Sequence, residues 1–257
     1  HDIATPVFKH CVDFMNGDYE KQESTEELTT KIISESKEII NLLNRDKIKI
    51  EEIRDYHIYP IADNDTPMLS ADRLEYTLSN GMGVRKNLWN LDEIKDIYED
   101  IEIQKNEKGI QELGFKHLKI AEKFVKNMRI LSNEYLSKET LLSMQFLADV
   151  VKKMYDKELI TKDDLYKLSD KEIIKKIEKC NYDNISKCFN LWKNATEIGE
   201  SDTYIEGKYC RKLKGKMRYI VPLVRYDNEF IRINKISKTA DEEIKKAINF
   251  KTKEFAY

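Results

Sequence analysis

Two histidines and two carboxylates lie within the first thirteen residues of the chain: His1, Asp2, His10 and Asp13. Only four histidines occur in all 257 residues, so half of them fall in this stretch. Imidazole nitrogens and carboxylate oxygens together suit borderline divalent metals such as Mn, Fe, Co, Ni or Zn. A bound ion of this kind lowers the pKa of a coordinated water toward neutrality and so makes hydroxide at physiological pH. The stretch therefore indicates a metal-assisted hydrolytic site.

A second stretch, Ser-Ala-Asp-Arg-Leu-Glu-Tyr over residues 70–76, strengthens this hypothesis. On a helix, Asp72, Glu75 and Tyr76 share one face, while Arg73 is turned about a quarter-circle away. Asp72 is predicted to complete the metal site, and Arg73 and Tyr76 to meet the substrate. A simpler alternative is a capped surface helix, in which Asp72 only interacts with the positive helix end and Arg73 is a solvated cation.

Taken together, the two stretches resemble the HD superfamily of metal-dependent phosphohydrolases, nearest the branch related to deoxynucleoside triphosphate triphosphohydrolases. Members bind metal through an upstream His, an adjacent His-Asp pair and a distant Asp on a later helix. His1-Asp2 matches the pair, and Asp72 matches the distant Asp. The resemblance implies that an N-terminal part with the upstream His is missing from this chain. It also implies a divalent cofactor (Mn, Fe, Ni, Co, Zn or Mg) held by His1, Asp2 and Asp72.

The branch motif that follows the His-Asp pair, Gly-His-x-x-Phe-x-His-x-x-Asp, is matched at Phe8, His10 and Asp13. A later His-Glu pair of the branch corresponds to Thr25-Glu26. The resemblance implies acid-base roles for Asp13 and Glu26, and contacts with the phosphate and sugar of a substrate for His10, Arg73 and Tyr76.

Two imidazoles of the branch are absent from this chain. Ala4-Thr5 stands in place of Gly-His, and Thr25 stands in place of the later His, which in that branch donates a proton to the leaving group. The first prediction is a phosphohydrolase that acts on a nucleotide or a related phosphate ester. The alternative is a catalytically weakened HD module that binds a nucleotide or a metal as a regulatory ligand.

Charge and apolar patterning exclude several other classes of protein. The chain has 45 basic and 47 acidic residues, so it is neither a disordered acidic tail nor a globally basic nucleic-acid binder. No run approaches the roughly 20 apolar residues of a membrane span, so no membrane partner is expected.

The four cysteines contain no CxxC pair, which favours reduced thiols in a cytoplasmic protein. A homo-oligomer is compatible with the resemblance, because relatives often assemble. His57 and His117 are expected to be solvated rather than to bind a ligand.

The chain has only 8 Gly and 4 Pro, which favours a mainly α fold, and the resemblance makes this an HD-domain helical bundle with additional helices. Apolar spacing predicts helices over 25–44, 70–81, 90–106, 107–136, 138–158, 161–180 and 183–195. Thr161 and Ser169 are predicted helix caps. We expect three segments: the HD-domain site region over 1–90, a helical extension packed on it over 91–200, and a small β-containing C-terminal segment over 201–257.

The C-terminal segment is richer in Tyr, Ile and Val. Two or three antiparallel strands are predicted, at 205–211, 217–224 and 229–236, before a final helix over 239–249. Residues 205–257 carry 14 Lys and Arg against 7 Asp and Glu, so this part has a charge of +7 and the remainder −9. A solvated basic face is the simplest interpretation, and contact with an anion or a nucleotide is the main alternative. Nucleic-acid binding is an alternative, through Arg211, Lys212, Lys214, Lys216 and Arg218.

Overall fold

The computed structural model of the chain describes residues 2–25, 28–83 and 87–257, with only the backbone of Asp2. It divides into two compact units. The first unit comprises His1–Asp55, Leu136–Lys216 and Thr252–Tyr257, and the second comprises Tyr56–Tyr135 and Met217–Lys251. The structure is 54% helical with a few small strands, which confirms the mainly α prediction.

Helices make up most of the first unit. They are α1 (His10–Met15), α2 (Thr29–Glu35), α3 (Lys37–Asp46), α7 (Lys138–Asp156), α8 (Lys162–Lys167), α9 (Asp170–Lys179) and α10 (Asp183–Asn194). The core of this unit forms where α1 and α10 pack on α7. It is filled by buried apolar side chains that include Val12, Phe146, Val150, Ile173 and Phe189.

A small antiparallel sheet completes the first unit. Its strands are β3 (Glu200–Ser201), β4 (Arg211–Lys212) and β7 (Phe255–Ala256), with β7 in the centre. The predicted strand over 205–211 is therefore present only at its end.

The second unit combines helices with a four-stranded sheet. Its helices are α4 (Ala71–Gly83), α5 (Leu91–Asp100), α6 (Leu118–Tyr135) and α11 (Lys238–Ile248). The strands are β1 (Ile101–Lys105), β2 (Gln111–Phe115), β5 (Leu223–Tyr226) and β6 (Glu229–Arg232). The sheet has the order β1-β2-β5-β6, in which β2 and β5 are parallel and the other pairs antiparallel. The core of this unit includes Leu78, Trp89, Phe115, Phe124 and Val224.

The helical prediction over 90–106 and 107–136 is wrong for residues 101–115, which form the β1-β2 hairpin. Asn106 builds its turn, because its Oδ1 accepts the N–H of Lys108 at 2.9 Å and that of Ile110 at 3.1 Å. Such a local side-chain bond replaces a helical hydrogen bond. Apolar residues in this stretch also fit the spacing of the preceding helix, so periodicity alone mispredicted it.

β structure is consequently not confined to the C-terminal segment, since the hairpin from the middle of the chain pairs with β5 through Gly114 and Leu223. Between β5 and β6, Asp227 and Asn228 have φ of 48° and 66°, the left-handed turn that their residue types favour. The final helix, predicted over 239–249, is confirmed as α11.

Helix ends follow the capping chemistry of the sequence in most places. Thr161 accepts the N–H of Asp164 at 3.2 Å, and Ser169 lies directly before α9, so both predicted caps are confirmed. The helix predicted over 25–44 is instead two helices, α2 and α3. They separate at Ser36, which has an extended backbone and caps α3.

Two further sequence expectations concern the whole chain. Within the described ranges, no helix is both long enough and apolar enough to cross a bilayer. The four cysteines are free thiols.

Candidate functional site

Helix α1 brings His10 and Asp13 together in the first unit. The two residues are three apart, so they lie on the same side of the helix. The Nδ1 atom of His10 is 3.0 Å from Oδ2 of Asp13. Cys11, Val12 and Phe14 of the same helix are buried and fix its orientation. The three-residue spacing brings the two side chains together, and the buried face of α1 fixes the direction in which they point.

Both carboxylate oxygens of Asp13 have hydrogen-bond donors. Oδ1 accepts the hydroxyl of Ser24 at 2.7 Å, and Ser24 in turn accepts the Nδ2 amide of Asn16 at 3.0 Å. The Asp13 side chain is 2% exposed, whereas that of His10 is 45% exposed. When Asp13 accepts from Nδ1, the Nε2 atom of His10 is the ring nitrogen left for other contacts. No partner of Nε2 occurs among the described residues.

The loop that carries Ser24 is held by Asp18. Its carboxylate accepts the backbone N–H groups of Lys21 at 3.2 Å, Glu23 at 2.9 Å and Ser24 at 3.1 Å. Partial burial acts to raise the pKa of Asp18, but these backbone hydrogen bonds outweigh it and hold the pKa below 3.8. The ionised form of Asp18 thus supports the serine that orients Asp13.

The chain enters α1 through a constrained turn. Phe8 and Lys9 have φ of 60° and 45°, a region that residues with a Cβ atom rarely occupy. The turn is fixed because Val7 N–H donates to the carbonyl of Leu165 at 2.8 Å and Phe8 N–H donates to Asp170 at 3.1 Å. Such backbone conformations persist only where surrounding contacts impose them, and they concentrate at functional sites.

Cys11 lies beside the pair but does not provide a nucleophile. Burial raises its pKa to about 12, and the negative charges of Asp170 and Asp13 act in the same direction. The thiolate is the reactive form of cysteine, and this environment disfavours it.

Helix α4 of the second unit carries Asp72, Arg73 and Tyr76. Ser70 caps it by accepting the N–H of Arg73 at 3.2 Å. Near its end, Gly81 lies directly against Trp89, where a Cβ atom would be 2.2 Å from the indole nitrogen. Only glycine permits this approach, so the position of α4 is fixed at both ends.

Arg73 is turned inward and binds the loop before its own helix. Nη1 donates to Oδ1 of Asn64 at 3.0 Å and to the carbonyl of Met68 at 2.7 Å, and Nη2 contacts the carbonyl of Asn64. The residue is 9% exposed. Among its described contacts the guanidinium holds the loop, and its predicted role in phosphate binding stays a prediction.

Tyr76 lies among polar and aromatic neighbours of the same unit. Its ring packs edge-on to Tyr135 at a centroid distance of 6.4 Å, and the guanidinium carbon of Arg218 lies 5.8 Å from its ring centroid. Burial raises the pKa of Tyr76 above 10, against the opposing effect of Arg218 and Arg73. The phenol is therefore protonated at neutral pH and can donate a hydrogen bond.

Several predicted site residues lie outside the described residues: His1, the side chain of Asp2, and Glu26. Among the residues that are described, no group of three or more His, Cys, Asp or Glu side chains could hold a metal ion. His10 and Asp13 belong to the first unit, and Asp72, Arg73 and Tyr76 to the second. The structure thus brings together His10 with Asp13, and the metal set of His1, Asp2 and Asp72 stays a prediction.

The basic residues considered for nucleic-acid binding contact groups of their own unit. Arg211 pairs with Asp149 at 2.8 Å, and Lys212 pairs with Glu254 at 2.6 Å. Lys216 donates to the carbonyl of Lys21 at 2.7 Å, Lys214 lies over the Tyr19 ring, and Arg218 lies over Tyr76. Arg211 and Lys212 stay about half exposed beside these partners, and nucleic-acid binding through this set stays a prediction.

A second histidine-aspartate pair lies in the second unit, and neither of its residues was among the predicted site residues. Nδ1 of His117 contacts Oδ1 of Asp100, and the backbone N–H of His117 donates to Oδ2 of Asp100 at 3.1 Å. The two residues are 17 apart and lie on either side of the hairpin that was predicted as helix. Two sequence features could have predicted this hairpin: the alternation of polar and apolar residues in Asp-Ile-Glu-Ile at the end of α5, and the turn-forming Asn106.

Comparisons with known proteins add no family to this description. A scan against protein-family models finds no match to the chain, and a search of curated proteins finds none either. The resemblance to HD phosphohydrolases therefore rests on the residues described above.

Proposed function

We propose that the chain is a metal-dependent phosphohydrolase of the HD type, acting on a nucleotide or a related phosphate ester. The observation that carries this proposal is the pair formed by buried Asp13 and half-exposed His10 on α1. It follows the His1-Asp2 dipeptide at the spacing of the HD motif. A histidine oriented by a buried carboxylate is a common arrangement for proton transfer.

His10 is the member of the pair that meets a substrate. Both oxygens of Asp13 are engaged by His10 and Ser24, and its side chain is almost completely buried. Asp13 is therefore a positioning residue: it holds the ring orientation and favours the proton on Nδ1. Nε2 then accepts a proton from the reacting group, or donates one to a phosphate oxygen when the ring is charged. The acid-base role that the resemblance implies for Asp13 is thereby assigned to His10.

The metal would be held by His1 and Asp2, with Asp72 as the distant ligand of the motif. An imidazole with carboxylates suits a borderline divalent ion, although the described residues alone contain no complete ligand group. When bound, such an ion polarises a phosphoryl oxygen and supplies hydroxide. His10 contributes to catalysis in addition to this set.

Helix α4 supports the choice of a phosphorylated, sugar-containing substrate. Its Tyr76 has a protonated phenol with the guanidinium of Arg218 beside it. A hydrogen-bond donor next to a cation suits a sugar hydroxyl adjoining a phosphate. Arg73 instead positions the loop over residues 64–68 against α4.

A regulatory HD module is the second candidate. It is favoured by Thr5 and Thr25, which stand where the related branch has histidines, and Thr25 is buried. A threonine hydroxyl does not transfer protons near neutral pH as an imidazole does. Such a module would bind a nucleotide and be stabilised by it without releasing product.

Phosphate release from a panel of nucleotides, measured with the full-length protein and Mn²⁺, tests the proposal. We expect turnover that chelation of the metal abolishes. Asp72→Ala is expected to lose both the activity and the bound metal, as measured by elemental analysis. His57→Gln is the control, because it removes an imidazole that is not among the predicted ligands and whose ring stacks on Tyr56 at a centroid distance of 4.2 Å. It should keep both the activity and the metal.

The outcomes separate the two candidates. Nucleotide binding and thermal stabilisation without product would favour the regulatory module. An unchanged metal content in Asp72→Ala would contradict the predicted ligand set. Absence of both turnover and nucleotide binding across the panel would contradict both functions.

A further inference from the structure

The second unit contains a cleft that the proposed hydrolase site does not use. It has a volume of about 550 Å³ and is lined by Ile101, Glu102, Lys116, His117 and Arg225. These residues come from β1, from the segment before α6 and from β5. The cleft therefore lies where the hairpin, the four-stranded sheet and the start of α6 meet.

Asp100 fixes the imidazole that lines this cleft. One carboxylate oxygen contacts Nδ1 of His117, and the other accepts its backbone N–H at 3.1 Å. Asp100 is 3% exposed, whereas the His117 side chain is 73% exposed. With Nδ1 engaged, the ring has Nε2 for contact with a ligand.

Two cations flank the imidazole. Lys116 is held in place because its Nζ donates to the carbonyl of Glu99 at 2.8 Å. Arg225 contacts Glu102 through Nη2, and its guanidinium lies 5.4 Å from the Phe230 ring centroid. A guanidinium has further N–H donors beyond the one that Glu102 uses. Helix α6, which starts beside the cleft, has no acidic residue in its first turn, so its positive end adds to this field.

The exposed donors of the cleft identify the class of ligand. Lys116 is exposed and the Arg225 side chain is 45% exposed, whereas Asp100 is buried and Glu102 is paired with Arg225. Tetrahedral oxyanions accept several charge-assisted hydrogen bonds of this kind at once. We propose that the cleft binds a small phosphate-class dianion through Lys116, His117 and Arg225.

A titration of the full chain with inorganic phosphate tests this site. The ring nitrogens of His117 are followed by NMR, at constant ionic strength maintained with chloride and with a chelator to remove divalent metal. Assignment comes from the signals that His117→Gln lacks. We expect saturable shifts of the His117 signals. Lys116→Gln and Arg225→Gln should each weaken phosphate binding by about tenfold, the loss of one charge-assisted hydrogen bond.

Lys238→Gln is the matched control, since it removes the same charge from a side chain that is 91% exposed in the same unit. It should leave phosphate affinity unchanged. If Arg225→Gln fails to fold because Glu102 loses its partner, Lys116→Gln carries the test alone, since its only described partner is a carbonyl.

His117 signals that do not move, or that move equally with chloride, would overturn the proposal. Equal weakening by Lys238→Gln would also overturn it, because the effect would then be one of net charge. The titration needs neither metal nor turnover, so its result is independent of the hydrolase proposal. A chain that hydrolyses no nucleotide is still expected to bind phosphate at His117.

Discussion

Each of the two units pairs a histidine with a buried aspartate through Nδ1, yet the surroundings of the two pairs differ. In the first unit, the second oxygen of Asp13 is engaged by the hydroxyl of Ser24, and the nearby ionisable groups, Asp18 and Asp170, are acidic. In the second unit, the second oxygen of Asp100 is engaged by the backbone of His117 itself, and the neighbours are Lys116 and Arg225. The same pair of side chains therefore lies in two different electrostatic surroundings.

If the two proposed sites hold, the neighbours of a histidine, more than its aspartate, decide its role. His10 is half-buried in a constrained site next to the His-Asp motif, as expected of a group that transfers protons. His117 is mostly exposed between cations, as expected of a group that binds an anion. The following predictions test whether the two pairs can be separated in this way.

The largest expected effect is on activity, in Asp13→Asn. Asparagine places an amide where the carboxylate accepts from Nδ1, so the ring loses its orientation and its favoured tautomer. We expect nucleotide turnover to fall by about 100-fold or more, the contribution typical of general acid-base catalysis. Asp100→Asn should leave turnover unchanged. Comparable losses in both variants, measured as phosphate release, would show that the two pairs are not functionally distinct.

A smaller effect is expected on stability, in Asp100→Ala. This change removes the acceptor of both the ring and the backbone N–H of His117, so the start of α6 loses an anchor. We expect the free energy of unfolding in urea to decrease by about 1–3 kcal/mol. His117→Gln should cost less, since its side chain is mostly exposed. A larger loss for His117→Gln would place the stabilising contact on the ring instead.

Ser24→Ala tests whether Ser24 only orients Asp13 or takes part in the reaction itself. It leaves Oδ1 of buried Asp13 without its described donor, which should reduce stability by about 1–2 kcal/mol. His10 keeps its contact with Oδ2, so turnover should decrease only severalfold. Thermal unfolding and phosphate release measured on the same preparation check both values. A loss of turnover as large as that of Asp13→Asn would make Ser24 part of the reacting group.

The smallest effect concerns pH and the loop held by Asp18. Because the pKa of Asp18 is lowered in the folded state, its stabilisation is fully present above pH 3.8 and is lost as the pH falls below it. Asp18→Asn should therefore reduce stability at neutral pH by about 1 kcal/mol or less, since the group is largely solvated. The difference between variant and parent should vanish in acid. A difference of the same size in acid as at neutral pH would contradict the role of the ionised carboxylate.

Contacts between residues close in the sequence could be predicted, whereas contacts between residues far apart in the sequence could not. The three-residue spacing of His10 and Asp13 and the caps at Thr161 and Ser169 are local, and the structure contains them. Asp100 and His117 are 17 residues apart and meet only because a hairpin lies between them. No periodicity within one helix could have placed them together.

The inward orientation of Arg73 could not be predicted for a related reason. On a helical wheel it is a cation beside the predicted site face, but the loop over residues 64–68 presents carbonyl oxygens to it. The path of that loop depends on tertiary packing rather than on its own sequence pattern. Residues that bind backbone atoms in this way show no sequence motif, whereas side-chain pairs on one helix do.

A matched pair of variants tests the central claim most directly: His10→Gln against His117→Gln, compared by phosphate release from the nucleotide panel with Mn²⁺. Both substitutions remove one imidazole that contacts a buried aspartate, one from each unit. The account predicts that turnover is lost in His10→Gln and retained in His117→Gln. Retention of turnover in His10→Gln, with metal still bound, would contradict it.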